Sequence, residues 1–302
     1  MSVLAIVAAL LIEQWRPLGD RRFYLALLAG WAAWLERSFN AGEARQGNVA
    51  WMVAVLPAVC GAILAHALFT RMGLLFSLAF DVAALYFTLG FRQSSHYFTD
   101  IKIALDAGDL DRACDLIAQW RMESPVARSR EEVIGLAIEQ ALLASHRHVF
   151  GVLLWYLVLP GPSGAILYRL AAYLHARWSG MGAFGRLARQ AFALLEWPAV
   201  RLTGVAFAVV GDFEDAIYCW RSQARAWSDP NAGIVLSAGA GALGVHLGGS
   251  VRQVEGAEVR PDLGLGEVAD RSHLDSTVGL VWRALVLWVF VLVVLTGARW
   301  VA

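Results

Sequence analysis

Charge is scarce in this sequence. Only 17% of its 302 residues are Asp, Glu, Lys or Arg, where an ordinary soluble domain carries about a quarter. The 25 acidic and 25 basic side chains cancel, so no net field draws nucleic acid or supports a polybasic surface anchor. Cysteine is almost missing. Cys60, Cys114 and Cys219 lie far apart with no Cys-x-x-Cys pair, which excludes a disulfide framework or thiolate metal site and leaves small apolar fillers. There is no P-loop, no Gly-x-Gly-x-x-Gly behind a strand, no Ser-His-Asp order, no zincin helix and no nucleophile elbow. Motifs therefore name no catalytic residue. His146-x-His148 is an incomplete ligand set without a carboxylate or thiol beside it, and reads as a solvated or interfacial pair, so no metal is assigned.

What the chain has instead is hydrophobicity in blocks. The composition is 58% hydrophobic with 13 tryptophans, an integral-membrane profile in which indole rings settle at the interface. Ser2–Ile12 and Phe23–Leu35 are apolar but shorter than the roughly 20 residues a span needs, and read as short or re-entrant elements around Glu13, Arg16, Arg21 and Arg22. The first run has neither a basic n-region nor a small-x-small cleavage site, against a signal peptide. Val49–Phe69 and Met72–Phe91 are expected spans, the first with an internal Pro57, the second with Asp81 near its centre. A carboxylate there is either functional or hydrogen-bonded to a neighbouring helix. Val149–Leu159 breaks at Pro160-Gly161-Pro162-Ser163-Gly164 and resumes at Ala165–Trp178, a break tolerated only where it is buried or lines a cavity. Phe192–Val210 contains Glu196 and Arg201, an expected pair, and Leu280–Val301 follows a polar loop at Ser250–Thr277 as the clearest span.

Between these blocks, residues 92–147 change character. Leu110, Ala113, Ile117 and Trp120 share one helical face, and Ser129 with Glu132 forms a capping-box start for a helix carrying Ile134, Ala137, Ile138, Ala141 and Leu142. Arg92, Lys102, Arg112, Arg121, Arg128, Arg130 and Arg147 put this hairpin outside the hydrocarbon, in the cytoplasm. The expected fold is all-α: a polytopic membrane helical bundle of four to six embedded elements, residues 1–302 as one domain, with a cytoplasmic helical insertion at 92–147 and broken or re-entrant helices.

The stretch that organises the chain is Ser228–Gly249. Asp229-Pro230-Asn231 and Gly233 open it as a turn, and Ser-Ala-Gly-Ala-Gly-Ala-Leu-Gly-Val-His-Leu-Gly-Gly continues it. Small residues at this density bring helix backbones together, or present backbone N–H groups to an anion. Both readings stay open at this level.

Pro230-Asn231-Ala232-Gly233, Ala240-Gly241-Ala242-Leu243-Gly244-Val245, Leu247-Gly248-Gly249, Gly256 and Arg260-Pro261-Asp262-Leu263-Gly264 together resemble the C-terminal signature of the CobD/CbiB family of cobalamin biosynthesis. Gly108-Asp109-Leu110 with Ala113 matches a further family element. The resemblance implies an inner-membrane, multi-pass protein that joins adenosylcobyric acid to aminopropanol or its phosphate through an ATP-dependent amide bond. Magnesium and ATP would be the cofactors, and membrane lipid and a corrinoid the partners. The substrate-binding candidates it implies are Asn231, Gly233, Arg201, Glu139 and His246, with Asp229 and Glu196 behind them. Asn231 and the amides after it would hold an anionic group, Arg201 a phosphate or carboxylate, and Glu139 a magnesium ion.

Four polar family motifs are eroded. The Glu-x-x-Ala-Glu-Asn-x-x-Asp-Gly run keeps only Glu139 across Glu139–His148, with Leu154-Trp155 fitting downstream. The Asn-Thr-x-Asp-Ser element has become Ala172-Tyr173-Leu174-His175 behind Tyr168-Arg169, and an aspartate pair has become Phe192-Ala193. The Gly-Arg-Asp-Thr element reads Arg121-Met122-Glu123-Ser124. Such erosion, with Leu195-Glu196-Trp197 leading to Val200-Arg201-Leu202, also resembles AmpE, a relative tied to beta-lactamase regulation. The alternative is thus a non-catalytic membrane sensor or scaffold. Recovery of the lost carboxylates by Asp81, Glu196 or Asp212 would favour the enzyme.

Overall fold

The computed structural model describes residues 2–15, 22–40, 42–121, 129–249 and 260–301. Arg16, Arg21, Arg128, Gly256 and the Met122-Glu123-Ser124 part of the eroded family element lie outside the described residues. The chain is all-α. In order the helices are α1 (Ser2–Trp15), α2 (Arg22–Phe39), α3 (Ala44–Met72), α4 (Leu74–Thr88), α5 (Phe91–Asp106), α6 (Leu110–Arg121), α7 (Arg130–Ser145), α8 (Gly151–Val158), α9 (Ser163–Trp178), α10 (Arg186–Val210), α11 (Phe213–Gln223), α12 (Pro230–Leu243) and α13 (Arg271–Val301). The described strands are β1 (Val245–His246) and β2 (Glu267–Val268), two residues each and paired in parallel.

Among the described residues, four helical stretches are long and apolar enough to cross a membrane: Ala44–Met72, Arg130–Val158, Arg186–Val210 and Arg271–Thr296. Three sequence expectations change. The span expected over Met72–Phe91 is only the 15-residue α4, about 22 Å long against a hydrocarbon core of about 30 Å. It stops where Leu89 turns extended. The capping-box helix runs further than expected. Ser129 and Glu132 do form the box, but the helix continues through a π-turn at His146–Phe150 into α8. The polar loop is also shorter than Ser250–Thr277, because Asp270 accepts from the backbone N–H groups of Ser272 and His273 and starts α13.

By packing, the chain separates into two compact units, Met1–Gly90 with Arg147–Trp197 and Phe91–His146 with Pro198–Ala302. In the first, α3 packs against α4 and α9, α1 against α4, and α8 against α9. Its core joins Leu35, Ala50, Ala54, Val55, Leu174, Trp178 and Phe184. The break after α8 sits where Gly161 takes a φ of 57°, and Pro160 and Gly161 line a cavity, the condition under which a broken helix is tolerated.

In the second unit α12 is the central element. Asp229 caps it, Pro230 occupies its first turn, and Gly244 closes it in the left-handed conformation. Its interior glycines disfavour a free helix by about 1 kcal/mol each. Packing explains them: a Cβ on Gly241 would lie 2.5 Å from the Asp215 carbonyl oxygen, one on Gly233 2.2 Å from that of Ala224, and one on Gly239 2.7 Å from Leu142. Of the two readings of the small-residue run, close helix packing is the one seen along α12.

Candidate anion-binding site

The buried carboxylate at the end of this packing is Glu139. It lies on α7, three residues before Leu142, so both project from the face that meets α12. Glu139 is only 3% exposed. Its Oε2 accepts from Arg260 Nη2 and lies 3.7 Å from Arg121 Nη1, and the backbone N–H of Gly248 also donates to the carboxylate.

The loops that bring these groups together are built from the glycine-rich signature. After α12, Val245–His246 pairs with Glu267–Val268, and Leu247 exchanges backbone hydrogen bonds with Leu263 at 2.7 and 2.8 Å. Gly248 and Gly264, both at φ 87°, have room for no Cβ; it would stand 2.1 Å from the carbonyl oxygens of Pro261 and Val245. Gln223 of α11 clamps the loop, donating to the Gly264 carbonyl at 3.2 Å and accepting from its N–H at 2.7 Å. Arg260 then lays its guanidinium over the Trp227 ring, 5.2 Å from the centroid, a cation–π placement that fixes the fork.

Two guanidiniums thus face one carboxylate. The Arg121 and Arg260 side chains keep 22% of their surface accessible while Glu139 keeps 3%. Each guanidinium has five N–H donors, more than Glu139 accepts. Such a pinned, partly open pair of arginines suits a phosphate or carboxylate, which guanidinium forks bind bidentately.

The expected site residues divide. Glu139 is the centre of this assembly, and His246 lies in the adjoining loop. His246 stands two residues before Gly248 with Nε2 3.8 Å from Asp262 Oδ1. Gly233 serves helix packing against Ala224 and Trp227, and Asn231 gives its backbone N–H to the Asp229 cap. Arg201, half-buried on α10, is not among the cations at Glu139. Glu196, its expected partner, is held by another arginine. Five helical positions place two side chains about 140° apart, and Glu196 instead receives Arg147 Nε at 3.0 Å. The magnesium role expected for Glu139 does not fit its surroundings, since two guanidiniums hold the carboxylate and repel a further cation.

Asp81, Glu196 and Asp212 each have their own partners. Asp81 holds His66 and Tyr156, Glu196 holds Arg147, and Asp212 caps α11. His146 is not solvated but 1% exposed, bonded through Nδ1 to Thr203 at 2.9 Å. Among the described residues no three His, Cys, Asp or Glu side chains converge as a metal site. Sequence reasoning passed over Arg121 and Arg260 as ligand groups, and Gln223 and Trp227 altogether. The signal for Arg260 was its place inside the glycine-rich signature; Gln223 and Trp227 carried none.

Comparison with known proteins bears on the same residues. The family described as CobD/Cbib protein matches residues 6–281. This chain belongs to the CobD/CbiB family. The Cobalamin biosynthesis protein CobD of Stutzerimonas stutzeri (strain A1501) is 34% identical over 301 residues, covering 97% of each chain. Its namesake in Chromobacterium violaceum is 37% identical over 212 residues, covering 68% of this chain and 67% of its own. That of Mycobacterium tuberculosis (strain H37Rv) is 45% identical over 65 residues, 20% of this chain and 21% of its own. No solved structure matches. Within this CobD/CbiB member, both the Glu139 group and the glycine-rich loops fall inside the matched span.

Proposed function

We propose that this chain is a multi-pass inner-membrane protein of cobalamin side-chain assembly. In this reading it joins the carboxyl group of adenosylcobyric acid to aminopropanol or its phosphate, forming an amide at the expense of ATP. The observation that supports the reading is the Glu139 group, where Arg121 and Arg260 both lie at one buried carboxylate and keep part of their side-chain surface open. Adenosylcobyric acid, aminopropanol phosphate and the nucleotide all carry anionic groups, and preorganised guanidiniums stabilise transferring phosphoryl and acyl-phosphate charge. Arg260, stacked on Trp227, would bind a phosphate or carboxylate, and Arg121 would complete the fork. Magnesium would enter on the polyphosphate rather than on Glu139.

A second reading draws on a different observation. Asp81, Glu196 and Asp212 are each engaged by other partners, so they do not replace the carboxylates of the eroded motifs. This favours an AmpE-like sensor or scaffold that binds the anionic ligand without turning it over.

One assay separates the two. The purified protein in detergent, given magnesium, ATP, adenosylcobyric acid and aminopropanol phosphate, is expected to form the amide, and Arg260→Ala is expected to abolish it. Corrinoid binding without product would leave the sensor. Neither product nor binding would overturn the assignment to this reaction.

A further inference from the structure

The first unit contains a second polar centre that the Glu139 site does not use. Asp81 of α4 is 6% exposed. Its Oδ1 lies 2.9 Å from His66 Nδ1 on α3 and its Oδ2 accepts from the Tyr156 hydroxyl of α8 at 3.1 Å. A carboxylate only accepts, so the hydrogen between Asp81 and His66 sits on Nδ1. In the neutral ring that leaves Nε2 with a lone pair. The Pro160–Gly161 break packs directly on the imidazole. A Cβ on Gly161 would lie 2.4 Å from His66 Cγ, so the broken segment and the histidine are fitted to each other.

These groups line a cavity of about 570 Å³, within the roughly 300–1,000 Å³ of small-molecule sites. Thr70 and Ser77 add hydroxyl oxygens to its wall, and the Thr70 hydroxyl donates to the His66 carbonyl at 2.7 Å. Among the described residues that line it there is no lysine or arginine. The wall therefore offers acceptors in excess: the remaining lone pairs of Asp81, His66 Nε2, and the oxygens of Thr70 and Ser77. Asp81 is the one carboxylate among its described lining residues.

We propose that the Asp81–His66 cavity binds a primary ammonium group. Such a group carries three N–H donors and one positive charge, which matches three acceptors around one carboxylate. A quaternary ammonium has the charge but no donor and is discriminated against. Burial makes a charge-assisted bond to Asp81 the main source of affinity. The same headgroup chemistry occurs in a free amino alcohol and in an ethanolamine lipid. The amino alcohol of the reaction proposed above carries such a group, so the free-amine source rests on that reading; the inference concerns different residues and is read by binding, which can fail separately from amide formation.

The test uses the full-length protein in detergent, with ethanolamine and choline as calorimetric probes and mass spectrometry of co-purified lipid. Saturable ethanolamine binding, weakened roughly tenfold or more in Asp81→Asn and at least as much for choline, supports a free amine. Enrichment of phosphatidylethanolamine over phosphatidylcholine, lost in Asp81→Asn, supports the lipid headgroup. Should Asp81→Asn fail to fold, Ser77→Ala and Thr70→Val, which leave the Asp81 contacts intact, are expected to weaken the same binding several-fold. Equal binding of ethanolamine and choline, no binding of either with no lipid enrichment, or unchanged binding in the variants overturns the proposal.

Discussion

Arg260 Nη2 donates to Glu139 Oε2 across 121 residues of chain, tying the glycine-rich C-terminal loop to the core of a membrane-length helix. The pair is asymmetric. Glu139 is almost wholly buried while Arg260 is partly open, so removing the arginine strands a carboxylate, whereas removing both charges does not. Breaking a fully buried pair costs roughly 3–5 kcal/mol. Here Arg121 remains 3.7 Å away, so Arg260→Met should sit at or below the lower end of that range. Thermal unfolding in detergent should show a clear loss for Arg260→Met and partial recovery for Glu139→Gln with Arg260→Met. Equal losses in both would show that the ion pair is not what fastens the loop.

The packing role of the small residues is tested by contrast. Gly241→Ala puts a methyl 2.5 Å from the Asp215 carbonyl oxygen and 2.8 Å from Ala216 Cα, both backbone atoms that cannot swing away. Overpacking of this kind costs roughly 1–3 kcal/mol. Gly30→Ala, inside α2 with nothing within 4 Å of the new carbon, should instead stabilise by roughly 0.5–1 kcal/mol. Opposite shifts in unfolding temperature are expected. Shifts of the same sign would mean that helix propensity, not close approach, governs α12.

These residues also mark where reading the sequence succeeds and stops. Hydrophobic period and length identified Val49–Phe69, Phe192–Val210 and Leu280–Val301 as parts of α3, α10 and α13, because those signals are local. The Ser129–Glu132 box was legible for the same reason. The glycine-rich run announced a close approach but not its partners, since Asp215 and Leu142 lie elsewhere in the chain. Glu196 and Arg201 looked paired by proximity in sequence, yet helical geometry turns them apart and Arg147 takes the carboxylate. Arg121, Arg260 and Glu139 are charges scattered over about 140 residues of sequence, and long-range contacts such as the pairing of Leu247 with Leu263 and the Gln223–Gly264 clamp draw Arg260 in. Local chemistry is readable; convergence is not.

Acid should loosen the start of α13. Asp270 accepts from Ser272 and His273, and these hydrogen bonds, that of the Ser272 hydroxyl first, hold its carboxyl down at about 2, against about 3.9 in an unfolded chain. A depressed carboxylate stabilises the fold above the unfolded value and loses that contribution as pH falls through the folded one. The advantage of the native protein over Asp270→Asn should therefore be constant above about pH 5 and shrink between about pH 4 and pH 2. A gap that stays constant down to pH 2 would show that the cap works through shape alone.

The Gln223 clamp has a built-in reporter. Cys219 lies four residues before Gln223 on α11, so the two share a face, and its side chain is fully buried. Burial, with help from the Asp215 charge, pushes its thiol up to about 11. Only about a thousandth is thiolate at pH 8, and the thiolate is the species that reacts. N-ethylmaleimide should therefore leave Cys219 unmodified in the folded protein. Gln223→Ala removes both hydrogen bonds to Gly264, one donated and one accepted, and so frees the loop that covers this face. Peptide mapping after timed labelling should show Cys219 reacting at least tenfold faster in Gln223→Ala. If the rate does not change, the loop is held by the Leu247–Leu263 pairing and Arg260 instead, and the clamp is dispensable.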